Sequence, residues 1–556
     1  MCTQGVSDLR SLQSESASRP LYSLPNSLND IQEALAKVAT DELLEELRAS
    51  GTFGLIVDES TDRSTDKTLI IYVKYHCGGV SKTKFLCVAE LESANADGIV
   101  NCIRSCLVQH NIDITKCVAF ASDGASVMMG CTNGVVAKLR TICPMIAAVH
   151  CVAHRLQLAV VHASHSIDYL KEFQGVVNSI YKYYHCSAKR LGNLNKIREV
   201  FEIANRKFKE VFDVRWLSFQ GAVDAVLHNI EPLVHALNED KQQPGNAAAQ
   251  GLLKYITTFD FLATTHMMAD VLGHIGRLSR TFQTKNLDFF HSNLSLNACV
   301  AALSEMKTKP GPMLQQFFDT LPTENDSLPP NSRSFTWRGI EIQFGKRGGY
   351  SWFNNMMTKF LVQLCQNLEM RFPNSDTMAA FSVLNPKMLP SSVSEDSHET
   401  EWLDYGTDSI ETLGRQIEEL FSAFPQDTPL KLEGLKQEWI EVKNIMKKSF
   451  STMSICDFIQ KFLTLDIEDA YPNFLALANL YLCIPISSVD CERGFSTYNI
   501  IKSYLRNRLH VSTVNTLMQM SVETPPLPDL HKFNFEKAFE HWCGMKSRKT
   551  HRLINE

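Results

Sequence analysis

The sequence predicts an α/β protein: a mixed sheet, interrupted by a large all-α insertion and completed by a C-terminal helical region. Two observations predict it. Between residues 53 and 165, short apolar runs bounded by turn signals alternate with helical periodicities in the order β-β-β-α-β-α-β-α. From Ile167 to about Gln460 the apolar spacing is helical almost throughout, which is far too long for an ordinary connection.

Taken in order, residues 1–27 are Ser-rich and polar and read as a loose lead-in. Ile31, Leu35, Val38, Leu43, Leu44 and Leu47 then repeat at helical spacing up to Gly51. Phe53-Gly54-Leu55-Ile56-Val57 is a buried-strand pattern that stops at Asp58, before the polar cluster Glu59-Ser60-Thr61-Asp62. Thr68 to His76 and Lys84 to Leu91 are two further strands separated by the turn residues Gly78-Gly79. Ile99, Ile103 and Leu107 mark one helix face, and Cys117 to Ser122 is a fourth strand running into Asp123-Gly124. A helix over 134–141, a strand over 146–149 and a helix over 155–165 complete the series. Three antiparallel strands followed by α-crossovers is the order of an RNase H-like sheet, in which the first and fourth strands are neighbours.

The insertion reads as helices over 169–184, 190–206, 217–237, 247–282, 287–306, 350–370, 410–424 and 429–448, with loops at 307–335 and 384–406. Tyr471 to Leu482 is an apolar helix with Pro472 in its first turn, and Pro485 ends it. Ser487 is placed as the N-cap of a helix carrying Glu492 in its first turns. Further helical faces run over 500–509, 511–520 and 533–542.

Composition narrows the function classes. The chain has 556 residues, 44% of them hydrophobic, which is enough for more than one core. No apolar run approaches the ~18 residues of a membrane span, and the first residues lack the apolar stretch of a signal peptide, so no membrane partner is expected. The 16 cysteines are scattered with no CxxC pair, which speaks against structural zinc and against a disulfide framework and for reduced thiols. The net charge of −6 offers a polyanion no help from the whole-protein field, so DNA binding needs a local basic face.

The candidate chemistry is carboxylate chemistry. Hard divalent cations held by a few carboxylates from separate elements catalyse in-line displacement at phosphorus. Asp58 and Asp123 have the positions for it, among 61 acidic residues. The words around them carry a resemblance. Asp58-Glu59-Ser60-Thr61, Ser122-Asp123-Gly124-Ala125, His150 through Leu158, Arg215-Trp216-Leu217-Ser218 and Ser487 through Ser496 resemble, in family order, blocks of hAT-superfamily DNA transposases. The resemblance spans about residues 40–520, and the 533–542 tail looks like tails of animal members.

The resemblance implies an RNase H-like core with a helical insertion, divided as 1–27 (flexible), 28–216 (core), 217–465 (insertion), 466–524 (core end and dimerisation region) and 525–556 (tail helix). It implies a D-D-E triad of Asp58, Asp123 and Glu492 binding Mg²⁺ or Mn²⁺, DNA as substrate, a homodimer or higher oligomer, and a nuclear location. Cys151, His154 and Arg493 would shape that site. Trp216, beside Arg215, reads either as a core tryptophan or as one that stacks on a flipped base. Lys189, Arg190 and Lys207 belong to a basic stretch between Tyr181 and Trp216 that either faces water or contacts phosphate. His150, Cys151 and His154 have ligand-like spacing, but a shaping role is favoured over zinc. Family members usually carry an N-terminal BED-type zinc finger; here only Cys2 precedes Cys77, so either a longer parent was truncated or the specific DNA reader was lost, and DNA binding by this chain is expected to be weak or non-specific. The chain is thus expected to be a domesticated or decayed transposase. The alternative is a non-catalytic dimeric scaffold in chromatin, transcription or SUMO-pathway regulation.

Overall fold

A 26-residue helix, α1 (Pro25–Ser50), leads into the sheet, starting before the lead-in was expected to end at residue 27. The computed structural model describes residues 25–545 except 62–66, 145, 202–215, 243–245, 285–286, 322–333, 345–346, 348, 373–379, 391–398, 421–429, 466 and 468. The chain forms two compact units, residues 1–150 with 383–556, and residues 151–382.

In the first unit, β1 (Phe53–Thr61), β2 (Lys67–Cys77) and β3 (Val80–Glu90) form an antiparallel meander. Then come α2 (Ala96–Gln109), β4 (Cys117–Ser122), the short α3 (Ser126–Met129), α4 (Val135–Arg140) and β5 (Ala147–His150). The sheet order is β3-β2-β1-β4-β5, with β4 parallel to both its neighbours, as the element order predicts. Side-chain alternation sorts the sheet into two faces. Phe53, Leu55 and Val57, with Leu69, Ile71, Val73 and Tyr75, pack into one core with α1, α2 and α4. Ile56, Asp58, Ile70 and Tyr72 point the other way. Cys87 on β3 and Cys106 on α2 are joined by a disulfide within the first core, which corrects the expectation of reduced thiols at this pair.

The second unit contains α5 (Val152–His165), α6 (Asp168–His185), α7 (Ala188–Val200), α8 (Trp216–His228), α9 (Ile230–Lys241), α10 (Ala247–Ile256) and α11 (Phe259–Phe282). It continues with α12 (Phe289–Glu305), α13 (Pro312–Asp319), the hairpin β6 (Ser334–Trp337) and β7 (Ile340–Gln343), and α14 (Gly349–Arg371). Two spans read as single helices are broken by side chains that compete for backbone groups. Asn229, between α8 and α9, donates to the Ala225 carbonyl at 2.6 Å and accepts from the buried Arg198 at 2.7 Å. Thr258 accepts from Phe261 N–H at 3.2 Å and so caps α11. The hairpin lies partly in a stretch read as loop. It turns through Arg338 and Gly339, both at positive φ (48° and 77°), and buries Phe335, Trp337, Ile340 and Ile342 by alternation. Buried on most of its surface, α11 also carries Asp270, whose carboxylate accepts from Met313 and Leu314 N–H at 3.0 and 2.9 Å and caps α13.

The rest of the first unit comprises α15 (Glu399–Asp404), α16 (Thr407–Leu420), α17 (Leu432–Ile445), α18 (Ile455–Leu463), α19 (Pro472–Cys483), α20 (Val489–Ile501), α21 (Val511–Glu523) and α22 (Phe535–Met545). The helical span over 500–509 is instead the end of α20 followed by a 3₁₀ turn at Tyr504–Arg506. No described helix is long and apolar enough to cross a membrane.

The edge of β3 is covered by α21 through side chains spaced four residues apart on one helix face. Asn515 accepts from Val88 N–H and donates to Val88 C=O, both at 2.6 Å. Gln519 donates to the Phe85 and Leu86 carbonyls at 3.3 and 3.1 Å, and Glu523 accepts from Phe85 N–H at 2.6 Å. A helix thus supplies hydrogen bonds that a further strand would make. Asn515→Leu leaves the Val88 groups unpaired. We expect it to destabilise the protein by about 1–3 kcal/mol in urea unfolding, and an unchanged midpoint would show that the edge is satisfied without α21.

Candidate active site

Asp58 does not end its strand. β1 continues to Thr61 along β2, with Asp58 opposite Ile70, while its pairing with β4 stops at Ile56 opposite Ala121. Continuing that parallel register by two residues sets Asp58 level with Asp123, just beyond the end of β4. Asp58 thus lies level with the point where β4 ends, on the face opposite the α1–α2 core. Each aspartate is held by its own turn: Asp58 Oδ1 accepts from Glu59 N–H and Asp123 Oδ1 from Ala125 N–H, both at 3.0 Å.

The third carboxylate arrives on α20, which packs on β1 and β2 on the same face. Glycine is required at one point of that contact. A Cβ at Gly494 would lie 2.4 Å from Ile70 Cδ1 and 2.7 Å from Tyr72 Oη. The α20 backbone therefore sits against Ile70, the register partner of Asp58, two residues after Glu492. The helix begins one residue later than predicted, with Ser488 at the cap position, while the Ser487 hydroxyl accepts from Val489 N–H at 3.2 Å.

The three carboxylates feel one another. Burial first, then the charges of Asp123 and Glu492, push the Asp58 carboxyl up to about 7. Arg493 is turned to Asp490, with an ion pair of 2.9 Å. Burial also pushes the Tyr72 hydroxyl, beside Gly494, far above its ordinary range.

His150 belongs to the same site and was weighed in the sequence only with Cys151 and His154 as a metal ligand. It ends β5 opposite Ser122, and its imidazole occupies the space where a Cβ of Gly124 would be, 2.1 Å from Nε2. Gly124 also has φ of 84°, so two constraints select glycine after Asp123. The signal was available: β5 runs parallel to β4, so its last residue lies beside the Asp123 turn. Cys151 is buried at the start of α5 and His154 lies in that helix; both belong to the second compact unit.

Of the candidate DNA contacts, Lys189 is exposed on α7. Arg190 is partly buried, stacked on the Tyr183 ring at 4.0 Å and donating to the Tyr183 carbonyl at 3.4 Å, so it serves the packing of its own unit. Trp216 starts α8, whereas Lys207 and Arg215 lie outside the described residues. Among the described residues no group of three or more His, Cys, Asp or Glu side chains is gathered closely enough to hold a metal ion.

The Asp58 environment has a measurable consequence in metal-free buffer. Its carboxyl keeps a proton in the folded protein well above the 3.8 of an unperturbed aspartate. Stability is therefore lost as pH rises from about 4 to about 7, and the loss is complete above 7. Asp58→Asn removes this dependence. Urea unfolding should show little difference between the two proteins at pH 4 and a gain on the order of 3 kcal/mol for the variant at pH 8. A gain independent of pH would mean that the charge of Asp58 is not what strains the site.

Comparison with protein families finds two matches at opposite ends of the chain. Residues 11–134, spanning α1, the meander and β4 with Asp58 and Asp123, are similar to the ZMYM1/FAM200 RNase-like domain. Residues 436–524, from within α17 to the end of α21 and including Glu492, are similar to the hAT family C-terminal dimerisation region, which begins here earlier than the expected 466. Both matches fall in the compact unit built on the five-stranded sheet. An RNase-like mixed sheet followed, far along the chain, by a match to this dimerisation region supports a hAT-family transposase-derived protein.

Proposed function

We propose that this protein cuts and joins DNA strands at a site formed by Asp58, Asp123 and Glu492. The observation that carries the reading is that Asp58 on β1 is level with Asp123, just past the end of β4, while the helix bearing Glu492 is seated against Ile70, the register partner of Asp58. The donor chemistry fits Mg²⁺ or Mn²⁺. Three carboxylates come from separate elements, and their mutual repulsion is relieved by positive charge.

Asp58, Asp123 and Glu492 would be the ligands. When bound, a pair of divalent ions supplies activation of the attacking oxygen and stabilisation of the leaving oxygen. The residues of the chain do the positioning. The Glu59 and Ala125 N–H groups orient the two aspartates, Gly494 lets α20 bring Glu492 to the sheet, and the His150 ring packs against Gly124. Water attacks first and a freed 3′-OH second, as a cut-and-join reaction needs. Function in the nucleus on DNA, as a homodimer or larger oligomer, belongs to the same reading.

A second reading has its own support. The match to a dimerisation region also suits a dimeric scaffold for chromatin or transcription partners that does not cut.

The deciding experiment is cleavage and strand transfer of a labelled duplex with Mg²⁺ or Mn²⁺, comparing wild type with Asp123→Ala and Glu492→Gln. The first reading expects losses of at least 100-fold in both variants with light scattering still showing an oligomer. An oligomer that cuts nothing in any form supports the scaffold, and cleavage equal in all three proteins removes the triad.

A further inference from the structure

The chain leaves α20 through an outward turn, Ser503 to His510, whose exposure neither the core nor the carboxylates explain. Tyr504 is 76% exposed and Leu505 91%, and Ile500 on the last turn of α20 is 77% exposed. Arg506, Arg508 and His510 follow them and are exposed as well. Lys502, by contrast, is buried to 5% beside the Tyr498 ring and is not one of the outward cations.

The charge pattern is specific to this segment. From Gly494 to Val522 there is no Asp or Glu, in a chain that has 61 of them and a net charge of −6. Among the described residues no carboxylate pairs with Arg506 or Arg508. An apolar tip ringed by unopposed cations has two natural occupants, a polyanion with stackable bases or a second copy of the same surface. The turn lies within the stretch that matches the dimerisation region, so a second copy is the rival occupant, but a two-fold contact that set this tip against itself would bring its cations together and is disfavoured by like-charge repulsion. DNA satisfies both parts: phosphates for the cations, and an unstacked base edge for Tyr504 and Leu505.

The location adds to this. The turn follows directly on the helix that carries Glu492, which ends at Ile501, nine residues and about 14 Å of helix beyond that carboxylate. We propose that Ser503–His510 is a DNA-gripping turn. Arg506 and Arg508 contact the backbone phosphates, and Tyr504 with Leu505 wedges against an unpaired base near the cut. The inference rests on the reading of the neighbouring carboxylates as a DNA-cutting site.

The test measures binding and not cutting, so that the two readings fail separately. Full-length protein in EDTA is titrated by fluorescence anisotropy into a labelled plain duplex and into one with an unpaired base at a strand junction, from 50 to 300 mM salt. The double variant R506Q/R508Q should weaken both complexes and lower the slope of log K against log salt by about two. Y504A/L505A should leave that slope unchanged and remove at least a tenfold preference for the unpaired base. An unchanged slope in the first variant, with circular dichroism showing it folded, overturns the phosphate contacts. A Y504A/L505A protein that becomes monomeric in light scattering while binding both DNAs normally overturns the wedge and makes the turn a seam between copies. Loss of cleavage in Asp123→Ala with these binding profiles intact leaves the turn standing by itself.

Discussion

Everything in the candidate site depends on how closely α20 lies on the sheet. A helix normally stands about 10 Å from a sheet, held off by side chains from both sides. Here the side chain is absent at Gly494, and Ile70 and Tyr72 fill the space a Cβ would need. The close approach sets how near the helix that carries Glu492 lies to β1 and β2. It gives a buried tyrosine and a glycine, neither able to bind a metal or move a proton at neutral pH, a part in shaping the candidate site.

The carboxylates themselves are arranged against their own repulsion. The sheet pairing and the helix seating, together with their turn hydrogen bonds, hold charges near one another that would separate in a flexible chain. Binding free energy from the rest of the fold is thereby stored in Asp58, whose proton is held to about pH 7. The same strain makes the site receptive to positive charge, from whichever source it comes.

Much of this was legible in the sequence because the first unit follows local rules. Strand runs of β-branched residues and turn glycines gave the meander, and the order of elements gave the neighbouring of β1 and β4. Strand ends set by long-range pairing were not legible. Asp58 looked like a strand terminus because apolar residues stop there, yet β2 goes on pairing with β1 to Thr61. Helix breaks at Asn229 and Thr258 were missed because the apolar period continues across them and only the side chains' hydrogen bonds interrupt it. The short hairpin at 334–343 is stabilised in part by a partner outside itself: Trp337 Nε1–H donates to Thr320 at 2.9 Å. The role of His150 needed the β4–β5 register, which no local pattern encodes.

The cover that α21 places over β3 has a temporal side. β3 is complete at Glu90, but Asn515, Gln519 and Glu523 are more than 400 residues further along. At a synthesis rate of about 5–20 residues per second, the open edge and the bare α20 face wait roughly 20–85 s for their partners. During that interval the nascent meander presents both an unpaired strand and apolar side chains such as Ile56 and Ile70. The fold therefore asks for a holding factor or a slow, local intermediate early in its biosynthesis, and the order in which the chain emerges is a constraint on this protein as real as any contact in its finished form.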